Sequence, residues 1–149
     1  MTDYRKKAED LFLKGYNCAQ AVFCAFADEI GIEEEMALKL SSSFGGGMGR
    51  MREVCGAVSG MFMVLGALEG YSLPDDNIAK KELYSKVQKL AAEFKQENGS
   101  IICRELLGEG ISSTPTPTER TESFYKKRPC KEYVGMAAEI LAKHLGLVD

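Results

Sequence analysis

Five cysteines carry the reactive side chains of this chain: Cys18, Cys24, Cys55, Cys103 and Cys130. A thiolate, not a thiol, is the nucleophile and the metal ligand. The useful question is therefore which of the five sits where negative charge is favoured. Cys18 directly follows Asn17, a residue suited to cap a helix, with Gln20 placed to complete a capping box. Cys103 lies just past Ser100, and Cys130 follows Pro129, a residue suited to a first helical turn. Cys55 lies where a glycine-rich loop gives way to an apolar segment. Four cysteines thus fall in or near the first turn of four different helices, where unpaired N–H groups and the helix dipole favour a thiolate. One helix terminus contributes about 0.3–1 kcal/mol, against about 1.4 kcal/mol per pKa unit. A single terminus therefore leaves the group a thiol at neutral pH. A nearby cation, a metal or several converging termini must supply the rest. Arg50 and Arg52, just ahead of Cys55, are the nearest cations, although taken alone they read as ordinary solvated charge. Cys24, between Phe23 and Ala25-Phe26, reads as core filler. There is no Cys-x-x-Cys, so neither a thioredoxin-like pair nor a zinc knuckle is signalled, and no Cys-x-x-Cys-His for haem attachment.

The elements that position these residues read as helices. Tyr4, Ala8, Leu11 and Phe12 recur at helical spacing over residues 3–14. A second helix starts after Asn17 and stops at Gly31, burying Ala19, Val22, Phe23, Phe26 and Ile30. Residues 33–42 form a third, with an acidic first turn. From Val54 to Leu68 there is no charge, a run too short for the roughly 20 residues of a membrane span. It reads as a helix buried on all sides, the hub of the fold. Its glycines Gly56, Gly60, Gly66 and Gly70 each cost about 1 kcal/mol of helix propensity, for which the usual reason is close approach of another backbone. After Pro74-Asp75-Asp76 comes a long helix ending at Asn98-Gly99, then a short one ending near Gly108, and a last one from Pro129. Residues 108–128 show no helical period, and 109–128 are expected as a flexible loop, either a functional flap or a disordered segment. No strand pattern appears. The expectation is an all-α single domain spanning 1–149, with about six or seven helices around the central Gly-rich helix.

A net charge of −3, with cations spread along the chain, argues against nucleic-acid binding. The polar N-terminus lacks an apolar signal segment, so a cytoplasmic location is expected, without membrane association. Reduced, metal-bound or catalytic thiols suit that compartment better than structural disulfides. The loop Gly45-Gly46-Gly47 with Arg50 is the candidate cofactor-binding element, since its N–H groups can face an anion. It lacks the phosphate-loop and dinucleotide patterns, and its simpler role is a Cβ-free path past the cysteine-bearing segments. His144 reads as a packed or surface residue, and Lys126-Lys127-Arg128 as solvated loop charge.

Tyr16-Asn17-Cys18-Ala19-Gln20-Ala21-Val22, Phe44-Gly45-Gly46-Gly47 with Cys55-Gly56-Ala57-Val58-Ser59-Gly60, Cys103-Arg104-Glu105-Leu106-Leu107-Gly108, and Cys130 form four widely separated blocks. In order and type they resemble the C-GCAxxG-C-C family of redox-active proteins, over nearly the whole chain. The central block departs from the family's name, reading Cys-Gly-Ala instead of Gly-Cys-Ala. The resemblance implies a redox or metal-linked role for Cys18, Cys55, Cys103 and Cys130, and no particular substrate. Three functions follow. The four cysteines act as thiolates in thiol–disulfide or electron-transfer chemistry with a redox partner, and three disulfide connectivities are open. Alternatively they bind zinc or an iron–sulfur cluster without catalysis. On the third reading the chain is a helical interaction module with inert thiols, its central helix a packing core or a homodimer seam. Every version with shared chemistry requires four sulfurs to meet.

Overall fold

A computed structural model describes residues 1–108 and 110–148. Nine helices are present among the described residues: α1 (Tyr4–Leu13), α2 (Cys18–Ala25), α3 (Ala27–Ile30), α4 (Glu34–Ser42), α5 (Gly56–Glu69), α6 (Asn77–Asn98), α7 (Cys103–Leu107), α8 (Glu122–Lys127) and α9 (Cys130–His144). The fold is all-helical, as expected, but six or seven helices was an undercount, for two local reasons. At Phe26 the backbone leaves the helical region (φ −110°, ψ 13°), which divides the second helix into α2 and α3. The Phe26 ring is fully buried and stacks on Tyr4 with centroids 4.7 Å apart. Packing against α1 thus coincides with the break. The second addition is α8, inside the stretch expected to be structureless. Thr121 caps it by accepting from the Phe124 amide, and Glu122 places an acid in its first turn.

Local sequence explains most boundaries. Asp3 caps α1, and Asn17 and Gln20 form the reciprocal capping box of α2. Gly31 (φ +79°) ends α3 and Gly99 (φ +91°) ends α6, both in the left-handed conformation that glycine adopts freely. Helix α5 shares the centre of the fold with α2: α5 packs against α2, α3, α6 and α9, while α2 packs against α1, α3, α4, α5 and α9. The hub is therefore a pair of helices. Gly56 and Gly60 explain their closeness. A Cβ on Gly60 would lie 2.8 Å from the Ala19 carbonyl oxygen, and one on Gly56 would lie 3.1 Å from the Ala19 amide nitrogen and the Cys18 Cβ. Gly66 faces open space, and Gly70 abuts the Gly66 carbonyl of its own helix, so close approach of another element does not account for these two.

Helices α1 and α9 close the other side. Arg5 binds Glu139 at 2.7 Å and Glu132 at 3.2 Å, both on α9. His144 at the end of α9 pairs with Glu69 at the end of α5, 2.8 Å away. Phe12, Phe94, Met61, Leu65 and Leu141 are fully buried between these layers. No helix among the described residues is long and apolar enough to cross a membrane.

Candidate functional site

The helix starts converge. Cys18, Cys103 and Cys130 are the first residues of α2, α7 and α9, and Cys55 is the residue preceding α5. All four line one cavity of about 800 Å³. Cys24 does not reach it and lies in the core, buried beside Ser41.

A short antiparallel contact joins two of the cysteine segments. Val54 bridges to Ile102, the Cys55 amide donates to the Ile101 carbonyl at 2.8 Å, and the Cys103 amide donates to the Glu53 carbonyl. Cys55 and Cys103 therefore lie one residue to either side of a single bridge, although 48 positions separate them (103 − 55). The glycine-rich loop supplies the approach. Gly46, Gly47 and Gly49 have positive φ, as do Met48, Arg50 and Arg52. A Cβ on Gly47 would lie 2.6 Å from the Cys103 Cβ, and one on Gly45 would collide with the Asn17 side chain that caps α2. The loop carries these glycines because it passes between two cysteine-bearing helix starts with no room for side chains.

Three non-glycine residues in the left-handed region are costly, of order 1–3 kcal/mol each. The cost at Arg52 accompanies a definite placement. Arg52 is only 4 % exposed. Its Nε donates to the Ser112 carbonyl at 2.9 Å, and its Nη1 lies 3.7 Å from the Cys103 sulfur. Its Nη2 is buried without a hydrogen-bond partner among the described residues. Arg50 also lines the cavity, donating from Nε to the Thr114 carbonyl at 2.8 Å and from Nη1 to Thr118 Oγ1 at 2.6 Å. The reading of Arg50 and Arg52 as ordinary solvated charge is thus replaced: one is buried, and both pin the 112–118 strap. Arg128, likewise read as solvated, lines the same cavity with Arg120. Arg120 stacks over the Phe12 ring at 4.1 Å and donates to the Phe12 and Tyr16 carbonyls.

The thiols are not equivalent. Cys130 is held below the ordinary thiol range, first by a hydrogen bond from Cys18 and then by Arg128, Arg120 and Arg52, which together outweigh its burial. Cys18, as the donor, is pushed well up by the hydrogen bond to Cys130, by burial, and by the neighbouring Cys130, Cys55 and Cys103 sulfurs. Burial pushes Cys55 up to about 12, against the Ala57 and Val58 amides at the start of α5. Burial also raises Cys103, against the hydrogen bond and charge of Arg52. Cys130 is therefore the one thiol of the set shifted toward the thiolate. Helix termini alone do not decide this, since all four share that feature. The Cys18 donor and the facing cations separate Cys130 from the rest.

Of the expected cofactor-binding residues, Gly45, Gly46 and Arg50 line the cavity, while Gly47 packs behind it against Cys103. Arg120 and Tyr133 border the cavity and were not singled out by sequence, and Arg128, which also borders it, was named only as solvated loop charge. Arg128 carried a usable signal, standing two positions before Cys130 where Arg52 stands three before Cys55. Arg120 carried none. Among the described residues, no group of three or more His, Cys, Asp or Glu side chains is placed to hold one metal ion.

Comparison with curated proteins and with solved structures returns no match. A family model does match, covering residues 16–144 and so every one of the cavity-lining cysteines. The chain belongs to the family described as Putative redox-active protein (C_GCAxxG_C_C).

Proposed function

We propose that the chain is a thiol-based oxidoreductase in which Cys130 attacks and Cys18 resolves. The observation that carries this reading is that Cys18 and Cys130 line one cavity together with Arg52, Arg120 and Arg128, an arrangement that lowers Cys130 while Cys18 is raised. That polarity matches a thiolate poised to attack and a partner that keeps its proton until it is needed. The Cys130 thiolate attacks one sulfur of a substrate disulfide, forming a mixed disulfide and releasing the other half as a thiolate. With Cys130 now neutral and bonded, the Cys18 proton is no longer held by a facing charge. Cys18 loses it and attacks the Cys130 sulfur, closing a Cys18–Cys130 disulfide and expelling the second half of the substrate. Two electrons and the Cys18 proton pass from the pair to the substrate, and the second product thiolate takes its proton from solvent. Cys55 and Cys103 stay reduced, their burial suiting them to shape the cavity wall.

One observation favours a second reading: four cysteines, not two, border the cavity. Cys18, Cys55, Cys103 and Cys130 would then hold an iron–sulfur cluster, which supplies one-electron transfer when bound. The Ala57 and Val58 amides and the Arg52 guanidinium are the donors that face Cys55 and Cys103. Such donors raise a cluster's potential by stabilising charge on sulfur. Anaerobic purification followed by visible absorption, iron and acid-labile sulfide content, and free-thiol titration separates the two. The disulfide reading expects a colourless protein with five titratable thiols that loses two on stoichiometric oxidation. Brown protein with iron and sulfide in matching amounts and protected thiols would replace it by the cluster.

A further inference from the structure

The walls of the cysteine cavity carry charge of one sign. Arg50, Arg52, Arg120 and Arg128 line it, and among the described residues no carboxylate does. None of the four arginines takes part in an ion pair among the described residues. Their partners are backbone carbonyls, a threonine hydroxyl, the Cys103 sulfur and aromatic rings. Such neutral acceptors satisfy N–H groups without cancelling charge. Burial lowers the Arg50 pKa, with Arg52 and Arg128 adding to the shift, which shows how closely like charges are gathered. In a chain with net charge −3, four cations around one cavity, faced by the Cys130 thiol but by no carboxylate among the described residues, are a local inversion of the overall balance. A second observation points to a ligand: Arg52, nine-tenths buried and lining the cavity, has no hydrogen-bond partner at Nη2 among the described residues. A buried unsatisfied donor on a charged group costs about 1–3 kcal/mol or more, and a guanidinium bonds most strongly to an acceptor that carries negative charge.

We infer that this cavity selects small anionic molecules, and that the substrates of the Cys130–Cys18 pair are low-molecular-weight disulfides bearing carboxylates. The inference rests on the thiol–disulfide reading for the identity of the reacting bond, and on the arginines alone for the charge preference. A cleft of one sign with low-dielectric walls raises the local concentration of opposite charge about tenfold or more, and salt removes much of that gain. The anion's carboxylates face the arginines while its disulfide reaches Cys130. In the reaction the Cys130 sulfur bonds to one substrate sulfur as the S–S bond breaks, and the departing anionic thiolate takes up the proton that Cys18 gives up.

The test compares two alkylating agents on the intact protein. Iodoacetate is anionic and iodoacetamide is neutral, and both transfer a carbon to the same thiolate. The ratio of their rate constants cancels the thiolate fraction, so it reports charge selection and not pKa. Relative to a free small thiol, the protein's iodoacetate-to-iodoacetamide ratio should be raised about tenfold at low ionic strength and should collapse at 1 M salt. Arg128→Gln should lower the ratio severalfold. Arg50→Gln serves as a second variant should Arg128→Gln fold poorly. A ratio equal to that of a free thiol and insensitive to salt and to both substitutions would overturn the inference, as would a cavity closed to both reagents. A parallel panel of dithiodiglycolate (anionic), 2-hydroxyethyl disulfide (neutral) and cystamine (cationic) reads the substrate class, with dithiodiglycolate expected fastest and cystamine slowest. If no disulfide reacts while the iodoacetate preference stands, the thiol–disulfide reading fails and the charge selection survives. Cystamine fastest refutes the selection itself.

Discussion

Two glycines of α5 respond in opposite directions when replaced by alanine. Gly60 and Gly66 are both helical, so each gains about 1 kcal/mol of helix propensity as alanine. Gly66 is exposed and a Cβ there meets nothing within 4 Å, so most of that gain is realised. A Cβ on Gly60 lies 2.8 Å from the Ala19 carbonyl oxygen, 3.1 Å from the Val22 Cβ and 3.3 Å from the Ala19 Cα. Two of those three atoms are backbone of α2, which cannot rotate aside as a side chain can. The helices must separate, and overpacking of this kind costs about 1–3 kcal/mol, here toward the upper end. The net expectation is that Gly66→Ala stabilises by about 0.5–1 kcal/mol, while Gly60→Ala destabilises by about 1–2 kcal/mol. Urea unfolding measures both, read as a change in midpoint at constant slope. In thermal melts each kcal/mol corresponds to about 2–4 °C for a chain of this size. Since α2 carries Cys18, Gly60→Ala should also slow thiol chemistry at Cys130, whereas Gly66→Ala should leave it unchanged. A Gly60→Ala protein as stable as Gly66→Ala would refute the close approach of α2 and α5.

Other consequences concern the thiols and the loop. With limiting iodoacetamide near neutral pH, peptide mapping should find Cys130 modified first and Cys24 among the last, because Cys130 is lowered whereas Cys24 lies in the core away from the cavity and burial pushes it up to about 11. Removing a cation that favours the Cys130 thiolate, as in Arg128→Gln, should move the alkaline limb of its alkylation profile to higher pH; an unmoved limb would remove Arg128 from the site. Cys24 and Cys55 are raised in the fold to about 11 and about 12 from 9.0. Their contribution to stability is therefore complete below pH 9 and is lost as pH rises through those values; urea midpoints followed from pH 8 to 12 should fall, more shallowly between 9 and 11 in Cys24→Ala. Gly47→Ala, with φ +72° and its Cβ 2.6 Å from the Cys103 Cβ, should cost about 2 kcal/mol or more in urea unfolding and disturb Cys103.

Much of the fold was legible because local rules and packing agree. The Asn17–Gln20 box, the Gly31 and Gly99 stops and the uncharged run that becomes α5 are all sequence-local signals, and each sits where those signals put it. The Phe26 break was not legible, since an apolar residue at helical spacing carries no mark of the stack with Tyr4 that accompanies it. Helix α8 was legible in principle, through Thr121 and Glu122, but prolines and threonines upstream masked it. At the site, residue types predicted which cysteines stand at helix starts. They could not predict that four starts share one cavity, because that depends on the Val54–Ile102 bridge and on a left-handed loop. Nor could they foresee a buried Arg52, since adjacent arginines in a polar-looking loop ordinarily face water.

The pairing of sulfurs is the central claim, and disulfide mapping of one anaerobically purified sample tests it most directly. After oxidation with one equivalent of a two-electron oxidant, proteolysis and mass spectrometry should find a single bridge joining Cys18 to Cys130, with Cys24, Cys55 and Cys103 still alkylatable after unfolding. A bridge confined to other cysteines, or five free thiols after oxidation, would contradict the assignment of Cys130 as attacker and Cys18 as its resolving partner.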